Sequence, residues 1–465
     1  MLTIPLIIDN EDILLEGRRE PVNVCTGPKT FQGATKEIAL KAADSSARAF
    51  ESWSRTSPAE RRASLLRLAE VARSRAAELE QLAQDEVQAE PFWAHLTMQD
   101  AIGLIEDCAG KTSPTGSVPT MEGGAYGLVM KEPLGVVLGI APWNVPIFLS
   151  LRAIIAPIAV GNTVVLKGSE LSPRVHYTIA SLFRDAGFPP GVVNLLLHRP
   201  SDAAEIFDTL ITHPAIKKCN FTGSTGVGRI VASQAAMALK PVLLELGGKN
   251  YTIVLDDANL DLAAEQILRG AFLNNGQICM STDLVLATKT VSKCLEAKMQ
   301  ALLQHVGRRT VITPAARSRL DRLVEDAERK GAKAYTAPRA ETDSLSAREF
   351  MPTVLTGVTS EMEFFHTEAF GPMVGIVAVD AEEDIFKLAD RARYGLSAAI
   401  ISSNHLRALQ LSRRLKTGAV HINFMTVYDD NALPHGGRGE SGWGRFGSHW
   451  GVEEFIQTKS IVLHA

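Results

Sequence analysis

Between about residue 134 and residue 245, short apolar runs alternate with longer stretches whose apolar residues recur every three or four positions. Runs such as "LGVVLGIAP" and "TVVLKG" predict buried strands, and stretches such as "SPRVHYTIASLFRDAG" predict amphipathic helices. Because strands and helices alternate with short loops, the pattern predicts a doubly wound, mostly parallel sheet. Ligands of such sheets bind at the carboxyl ends of the strands.

The flanking regions predict further elements. Residues 36–90 have the period of two amphipathic helices, the second beginning with Ser57 as N-cap, Pro58 in its first turn and Glu60 completing a capping box. From about residue 246 to residue 430, strand runs such as "NYTIVL" and "VGIVAVD" again alternate with helical stretches, which predicts a second α/β region. The loop-rich stretch "TAPRAETDSLSAREF" is predicted to be a surface excursion.

Length and charge narrow the class of protein. A chain of 465 residues is too long for one core and predicts two or three domains. With 48 basic and 52 acidic residues and no basic block, nucleic-acid binding is not expected. The longest uncharged run lies between Glu132 and Arg152. Because Pro142, Asn144 and Pro146 interrupt it, a strand, a loop and a helix fit better than a membrane span. The first residues carry no positively charged segment, so a secretory signal is not expected.

The cysteines indicate neither a disulfide framework nor a zinc site. Their number is odd, they are widely spaced, and no C-x-x-C or H-E-x-x-H pattern occurs. The sequence therefore predicts a reduced, cytoplasmic protein without a metal. The five residues are Cys25, Cys108, Cys219, Cys279 and Cys294.

One of these cysteines is a candidate nucleophile. Cys279 lies in "NNGQICMST", a small polar loop after a helical stretch. A thiolate is a good nucleophile, and nearby N–H groups would stabilise it. The alternative is a small buried hydrophobic residue, which is the commoner role of a single cysteine. The polar neighbours favour the nucleophile.

Two further side chains suit acyl chemistry. Glu245 ends an apolar strand before two glycines, where lost solvation would raise the pKa of its carboxyl toward that of a general base. The alternative is a strand-terminal charge turned to water. Asn144 follows another strand between two prolines, and its amide is a donor suited to an oxyanion hole.

A glycine-rich turn and a charged pair follow strands of the first region. "FTGSTGVG" precedes a helix, whose first N–H groups can bind an anion, although its glycines do not match G-x-G-x-x-G. Lys167 and Glu170 lie just after "TVVL" and could hold the hydroxyls of an adenosine ribose. Taken singly, an ordinary glycine turn and two solvated surface charges remain alternatives.

Taken in order, these segments resemble the aldehyde dehydrogenase superfamily, and within it the salicylaldehyde, benzaldehyde and vanillin dehydrogenases. The resemblance spans about 300 residues, and several coincident segments are far more specific than any one. The segments are "APWN" (141–144), "GNTVVLKGSE" (161–170), "FTGSTGVG" (221–228), "LELGGKN" (244–250), "NNGQICMST" (274–282), "EAFGP" (368–372) and "GGRGESGWGR" (436–445).

The resemblance implies an α/β fold with three parts. A Rossmann-type NAD-binding domain is expected in residues 1–116 and 133–245, and an α/β catalytic domain in residues 246–432. A small β oligomerisation element is expected in residues 117–132 and 446–465, and it would build a homodimer or homotetramer. An apolar terminal strand such as "SIVLHA" would be a liability if left unpaired.

The resemblance also implies the catalytic roles. Cys279 matches the nucleophile, Glu245 the general base, and Asn144 the side-chain half of an oxyanion hole that the backbone N–H of Cys279 completes. NAD is the expected cofactor, because a carboxylate at Glu170 would repel a 2′-phosphate; NADP stays open. The expected cofactor contacts are Ile140, Pro142, Trp143, Lys167, Ser169, Glu170, Gly223, Ser224, Gly228, Leu246, Glu368 and Phe370.

An aromatic aldehyde is the expected substrate. Val427 and Asp429 precede the Gly-Gly turn as in the aromatic-aldehyde enzymes, and Arg152 lies on an otherwise apolar helix. The alternative is that Arg152 pairs with a core carboxylate and the aromatic residues only pack. The expected substrate pocket consists of Trp93, Phe148, Arg152, Phe424 and Tyr428.

The chain departs from the family pattern in three places. The N-terminus is short, which predicts a reduced edge hairpin in the cofactor domain. The link near residues 307–315 is shortened, which puts the packing beneath the catalytic domain in question. His435 stands where phenylalanine is common, and it could tune the pocket or simply pack there.

Other functions remain as alternatives. An aliphatic aldehyde or a semialdehyde could be the substrate. A CoA-acylating enzyme would generally lack a carboxylate at position 245, and a non-catalytic homologue would be expected to lack Cys279, Glu245 or Asn144. All three residues are present.

Overall fold

The computed structural model describes residues 3–22, 27, 29–339 and 344–464, and the chain divides into two units. The first unit comprises Met1–Leu244, Asp430–Pro434 and Gly444–Ala465, and the second comprises Glu245–Asp429 and His435–Trp443. The three-part division expected from the sequence stays a prediction. Cys25 and part of the expected surface excursion, residues 340–343, lie outside the described residues.

The first unit contains the predicted sheet. Its central strands are parallel, and their carboxyl ends are in register, with Ile140 opposite both Lys167 and Phe221. Leu6–Ile8 and Glu11–Ile13 add an antiparallel hairpin at one edge, so the expected edge hairpin is present as two three-residue strands. The strands follow the order Val242–Glu245, Ile216–Thr222, Val136–Ile140, Thr163–Lys167, Val193–Leu196, Leu6–Ile8 and Glu11–Ile13.

Helices pack around this sheet as the apolar periodicity predicts. The capping box at Ser57 is confirmed, since its side chain accepts from the backbone N–H of Glu60 and Glu60 accepts from the backbone N–H of Ser57. Residues 36–90 contain three helices instead of two, because the backbone of Arg75 is not helical. No glycine or proline in the sequence marks this break. The first-unit helices are Lys36–Trp53, Pro58–Ser74, Ala76–Val87, Pro91–Ala109, Pro146–Ala159, Pro173–Asp185, Ala203–Thr212, Thr225–Met237 and Ser448–Glu453.

Smaller strands of the first unit form two further sheets. Tyr126–Pro133 pairs antiparallel with Ile456–Leu463, so the two segments expected in the oligomerisation element form one ribbon. Tyr126 and Leu463, which face each other across it, are 69% and 54% exposed, so apolar surface remains on the ribbon. The other sheet consists of Thr3–Ile4, Thr30–Gln32 and Arg19–Pro21.

The second unit has a sheet that is mostly parallel and buried on both faces. Apolar side chains from its strands enter two clusters, one including Ile253 and Leu286, the other including Val254 and Val285. Adjacent strand residues therefore face opposite layers, as expected for a parallel sheet covered by helices. The strand order is Lys333–Thr336, Thr353–Thr356, Met373–Val379, Thr282–Thr288, Asn250–Val254, Ser397–Ile401 and Ala419–Ile422, with only the first pair antiparallel.

Helices and short strand pairs complete the second unit. Across the described parts of the chain, no helix combines the length and apolar character needed to cross a bilayer. The second-unit helices are Leu260–Phe272, Lys289–Leu303, Pro314–Arg329, Glu363–His366, Glu382–Asp390 and His405–Ser412. The short pairs are Arg309–Thr310 with Glu349–Phe350 and Tyr394–Gly395 with Arg438–Gly439, and the strand Gly442–Trp443 follows.

Candidate active site

Cys279 lies in a loop held by buried polar side chains. The helix Leu260–Phe272 ends in a tight turn in which Asn274 and Asn275 adopt positive φ angles. Asn275 and Gln277 are buried and accept hydrogen bonds from the backbone N–H groups of Thr310 and Ile312, at 3.2 and 2.8 Å. The polarity of this loop therefore anchors the chain and does not by itself indicate exposure.

The shortened link near residues 307–315 supplies these anchoring N–H groups. Val311 between them is completely buried, and its own N–H donates to the carbonyl of Arg348. Residues 310–312 therefore pack against the loop that carries Cys279.

The backbone at Cys279 is fixed by Asn250. The amide nitrogen of Asn250 donates to the carbonyls of Cys279 and Ser281, at 2.8 and 3.0 Å, and its oxygen accepts from the backbone N–H of Ser397. A side chain at Gly248 would meet both Asn250 and the carbonyl of Cys279, so the strand-end turn needs glycine there. These contacts bring "LELGGKN" next to "NNGQICMST", as the resemblance implies.

The thiols of the described chain differ in accessibility. Cys108 and Cys219 are buried, and burial raises the pKa of the Cys108 thiol to about 12 and raises that of Cys219 further. Cys294 is exposed on the helix Lys289–Leu303. Cys279 is only partly buried and lies at a strand-end turn, which fits a nucleophile better than a packed core residue.

Glu245 is the last residue of the strand Val242–Glu245 and is 0% exposed. The alternative of a carboxylate turned to water is therefore wrong for this structure. The turn after it is bound to a second loop: the N–H of Leu246 donates to the carbonyl of Ser441, and the Ser441 hydroxyl donates to the carbonyl of Gly247.

Glu368 contacts the same turn. Its carboxylate accepts from the backbone N–H of Gly248 at 3.0 Å, and a side chain at Gly247 would collide with it. Burial raises the pKa of Glu368 to about 8, although the Gly248 hydrogen bond acts in the opposite direction. Of the expected cofactor contacts in the second unit, Glu368 and Leu246 thus adjoin one turn, and Phe370 follows with a positive φ angle.

A buried ion pair supports Glu368, and the sequence did not indicate it. The Lys249 ammonium lies 3.1 Å from a carboxylate oxygen of Asp283 and 3.8 Å from the centroid of the Phe364 ring. Asp283 accepts from the N–H of Ala369, next to Glu368. Burial lowers the pKa of Lys249 and raises that of Asp283, although each charge opposes the effect on the other. Lys249 is inside "LELGGKN" and Asp283 directly follows "NNGQICMST", but their pairing depends on the fold.

The first unit has a cavity of about 270 Å³ at the carboxyl ends of its parallel strands. Three expected cofactor contacts line it: Ile140, Lys167 and Glu170. Sequence reasoning missed His198 and the apolar wall, although His198 directly follows a predicted strand. The remaining lining residues are Leu138, Pro200, Ala203, Ile206, Phe207, Leu210, Phe221, Val227 and Val231.

Burial dominates the electrostatics of this cavity. It lowers the pKa of Lys167, against the attraction of Glu170, and it lowers the pKa of His198 to about 4 with Lys167 adding to the effect. His198 is therefore neutral at pH 7. The cavity combines one cation and one carboxylate with apolar walls, which suits a heterocycle joined to a diol.

The remaining first-unit contacts lie in the turns at the strand ends. Ser169 is buried and its hydroxyl accepts from the N–H of Leu171, whereas Ser224 is the exposed N-cap of Thr225–Met237. A side chain at Gly223 would collide with the Phe221 ring, and Gly228 is buried one turn into the helix. Pro142 and Trp143 are partly buried in the loop before Pro146–Ala159.

Asn144 is buried in that same loop, in the first unit, and Cys279 belongs to the second. Their joint action as an oxyanion hole stays a prediction.

The residues expected around the substrate fall into two groups. In the first unit, the Arg152 guanidinium lies 4.5 Å from the centroid of Phe446 and 5.9 Å from that of Phe148, and it donates to the Thr222 hydroxyl. Trp93 is partly buried on the helix Pro91–Ala109. In the second unit, Phe424 and Tyr428 form an edge-to-face pair with centroids 5.8 Å apart. Sequence reasoning missed Phe446.

His435 is the most unexpected neighbour of Glu245. Its Nε2 lies 3.7 Å from a carboxylate oxygen of Glu245, and its Nδ1 lies 3.2 Å from a carboxylate oxygen of Asp429. The sequence marked both His435 and Asp429 but did not connect either residue with Glu245.

Comparison with known proteins identifies the family. The sequence profile of the aldehyde dehydrogenase family matches residues 23–461. The chain belongs to the aldehyde dehydrogenase family. It is accordingly an oxidoreductase that acts on aldehydes, and the expected α/β fold is confirmed.

Similar members of the family include enzymes named for aromatic aldehydes. A vanillin dehydrogenase from Pseudomonas fluorescens is 38% identical over 100% of this chain and 98% of its own length. The crystal structure of a salicylaldehyde dehydrogenase from Pseudomonas putida G7, complexed with salicylaldehyde, has a TM-score of 0.94 at 32% identity. It covers 100% of this chain and 99% of that one.

A structure with a cofactor is also similar. Betaine aldehyde dehydrogenase from Staphylococcus aureus, in complex with NAD+, has a TM-score of 0.93 at 27% identity and covers 99% of this chain and 94% of that one. The expected membership of the aldehyde dehydrogenase superfamily is thus confirmed by sequence and by fold.

Proposed function

We propose that this member of the family oxidises an aromatic aldehyde to the carboxylic acid, with NAD as cofactor and Cys279 as the nucleophile. The proposal rests on one observation: Cys279 and Glu245 both adjoin the turn that follows the strand Val242–Glu245. Cys279 is held by Asn250 beside Gly248, and the fully buried Glu245 precedes that turn. A nucleophile and a carboxylate base are the two protein groups that oxidation through a thioester requires.

The first half-reaction forms the thioester. The Cys279 thiolate adds to the aldehyde carbon, and the carbonyl oxygen becomes an anion. The amide of Asn144 and the N–H of Cys279 stabilise that anion. NAD, when bound, supplies the acceptor for the hydride that leaves this carbon. Loss of hydride restores the C=O bond, and the acyl group remains on the sulfur of Cys279.

The second half-reaction releases the acid. Glu245 takes a proton from a water molecule as the water oxygen attacks the thioester carbon. The carbon–sulfur bond then breaks and Cys279 leaves as the thiolate. A carboxylate at this place supports water as the acceptor, which disfavours a CoA-acylating reaction. The presence of Cys279, Glu245 and Asn144 disfavours a non-catalytic homologue.

The first-unit cavity fits the adenosine part of the cofactor. Lys167 and Glu170 lie at its polar end, and Phe221 and Val227 contribute to its apolar wall. Residues near the helix N-terminus at Ser224 would hold the pyrophosphate, because the first N–H groups of a helix favour anions.

Glu170 would make NAD the better cofactor. Glu170→Gln is expected to raise kcat/KM with NADP, relative to NAD, by about tenfold, because a like charge near a 2′-phosphate is removed at a gain of about 1.4 kcal/mol. Initial rates with each cofactor measure this change. Glu205→Gln, at an exposed helical site, is the matched control and should leave the ratio unaltered. An unchanged ratio in Glu170→Gln would contradict the role of this carboxylate.

An aromatic substrate is supported by the similar enzymes named for vanillin and salicylaldehyde and by the rings around Arg152. We expect kcat/KM for benzaldehydes to exceed that for linear aldehydes by about fivefold, since a stacked ring gains about 1 kcal/mol. NADH absorbance with both series measures the ratio. A preference for linear aldehydes or semialdehydes would reject the aromatic pocket.

We also propose a homodimer or homotetramer that covers the ribbon formed by Tyr126–Pro133 and Ile456–Leu463. The exposed apolar side chains of the ribbon support this proposal. A cytoplasmic location remains the expectation from the cysteine usage.

A further inference from the structure

His435, Asp429 and Glu245 form a chain of side chains that the established family chemistry does not require. The imidazole is buried, with 8% exposed, and lies between the two carboxyl groups at 3.2 Å from Asp429 and 3.7 Å from Glu245. One ring nitrogen faces each carboxyl group.

The tautomer of His435 follows from this arrangement. An ionised carboxylate can only accept hydrogen bonds, so the Nδ1 atom beside Asp429 carries the hydrogen. In the neutral ring, Nε2 then has a lone pair directed toward Glu245. Two lone pairs facing each other in a buried place are unfavourable unless a proton or a bridging water lies between them. Glu245 and His435 are therefore suited to take up together one proton that is released beside them.

The loop carrying His435 is tied to the turn after Glu245. The Ser441 hydroxyl donates to the carbonyl of Gly247 at 2.7 Å and accepts from the N–H of Gly395 at 3.1 Å. A side chain at Gly418 would collide with the carbonyl of Gly436, which directly follows His435. The imidazole is thus held at a defined distance from the carboxylate.

His421 is a further titratable group at this place. Burial lowers the pKa of its imidazole, with a smaller contribution from His435, although Asp429 acts in the opposite direction. His421 packs edge-on against Tyr428, with ring centroids 5.7 Å apart. A neutral His421 leaves the negative charge of Asp429 to stabilise a positive charge on His435.

We propose that His435 is a positioning residue that accepts, from Glu245, the proton taken from the hydrolytic water. The inference rests on the proposed function and extends it. Water loses a proton to Glu245 as its oxygen bonds to the thioester carbon, and the electron pair of the carbon–sulfur bond leaves with Cys279. Once the carboxyl group closes the 3.7 Å gap to hydrogen-bond distance, the proton passes from Glu245 to Nε2 of His435, and Asp429 balances the imidazolium charge. His435 then loses this proton to solvent and returns to the neutral form. Glu245 is thereby ionised again for the next turnover.

The test separates the two half-reactions in the full-length enzyme with bound NAD. In His435→Phe, the single-turnover rate of NADH formation should stay within about twofold of the parent. Decay of the acyl group on Cys279, followed by intact-mass spectrometry after a chemical quench, should slow by about tenfold to a hundredfold. Direct observation of the acyl-enzyme makes the result independent of which step limits turnover.

Rescue distinguishes proton transfer from packing. His435→Ala should show the same slow decay, and added imidazole should restore part of the rate, with a pH dependence that follows the free base. Asp429→Asn should also slow the decay, but imidazole should not restore it because the ring is still present. His405→Ala, at an exposed site of the same unit, is the control and should leave both rates unchanged.

The outcomes are separable. Acyl decay at the parent rate in His435→Phe would overturn the inference, and so would slow decay in His435→Ala without imidazole rescue. Neither result would affect the proposed function, since the acyl-enzyme would still form on Cys279. Absence of any acyl adduct on Cys279 in the parent enzyme would instead overturn the proposed function.

Discussion

Replacement of Cys279 by alanine is expected to lower dehydrogenase turnover by roughly 10⁶-fold, a loss comparable to that seen when another enzyme loses its nucleophile. No thioester can form without the sulfur, and the remaining groups can only bind aldehyde and cofactor. NADH absorbance after addition of a benzaldehyde measures the loss, and intact-mass spectrometry should find no acyl adduct.

The controls for this variant use the other cysteines and the fold. Cys294→Ala removes an exposed thiol of the same unit and should retain parent activity. The melting temperature of Cys279→Ala should remain close to that of the parent, because the thiol is only partly buried and its loop is anchored by Asn250, Asn275 and Gln277. Substantial turnover in a folded Cys279→Ala enzyme would exclude a covalent mechanism at this residue.

Replacement of Glu245 by glutamine is expected to lower steady-state turnover by about 10²-fold to 10⁴-fold, the usual contribution of a general base. The first half-reaction needs no base at this position, so a burst of about one NADH per active site should precede the slow phase. Stopped-flow absorbance measures both phases. Glutamine has nearly the shape of glutamate but cannot take the proton from water.

A matched control and a double variant make this prediction sharper. Glu265→Gln changes an exposed carboxylate of the helix Leu260–Phe272 and should leave both phases unchanged. If His435 acts through Glu245, adding His435→Phe to Glu245→Gln should slow acyl decay little further, since the two effects are coupled. Loss of the NADH burst in Glu245→Gln would show that Glu245 acts in the first half-reaction instead.

The buried environment of Glu368 affects the charge of its carboxyl group. A carboxyl group with a pKa near 8 is largely protonated at pH 7, and it can then donate a hydrogen bond as well as accept the one from Gly248. The neighbouring ion pair of Lys249 and Asp283 is expected to stay intact. Removing either side chain would leave the charge of the other buried without a counter-charge.

Local patterns along the chain determined much of the fold. The capping box at Ser57 depends on two residues three positions apart, and the strands "LGVVLGIAP" and "TVVLKG" depend on runs of apolar neighbours. Their physical causes act over a few residues, so the sequence alone predicts them. The break at Arg75 lacked such a local signal, and three helices replaced the expected two.

Some features of the candidate site could likewise be predicted from the sequence, whereas others depend on the tertiary structure. Cys279, Glu245, Lys167 and Glu170 could be named from the sequence because each lies in a recognisable strand-end motif. The polarity of "NNGQICMST" favoured a nucleophile over a small buried hydrophobic residue, but only the tertiary structure revealed that Asn275 and Gln277 are buried acceptors for a distant segment.

The short-range pattern of the sequence thus predicted the alternating strands and helices and therefore the fold class, and the resemblance of seven segments implied the family and the side chains that carry its chemistry. The tertiary structure decided which of those side chains touch. Lys249 meets Asp283 because Asn250–Val254 and Thr282–Thr288 are neighbouring strands of one sheet. Asp429 and His435 lie beside Glu245 because the loops that carry them fold against the end of the strand Val242–Glu245. Burial then sets the charge of each group, since solvation depends on the surrounding fold and on no neighbour in the sequence.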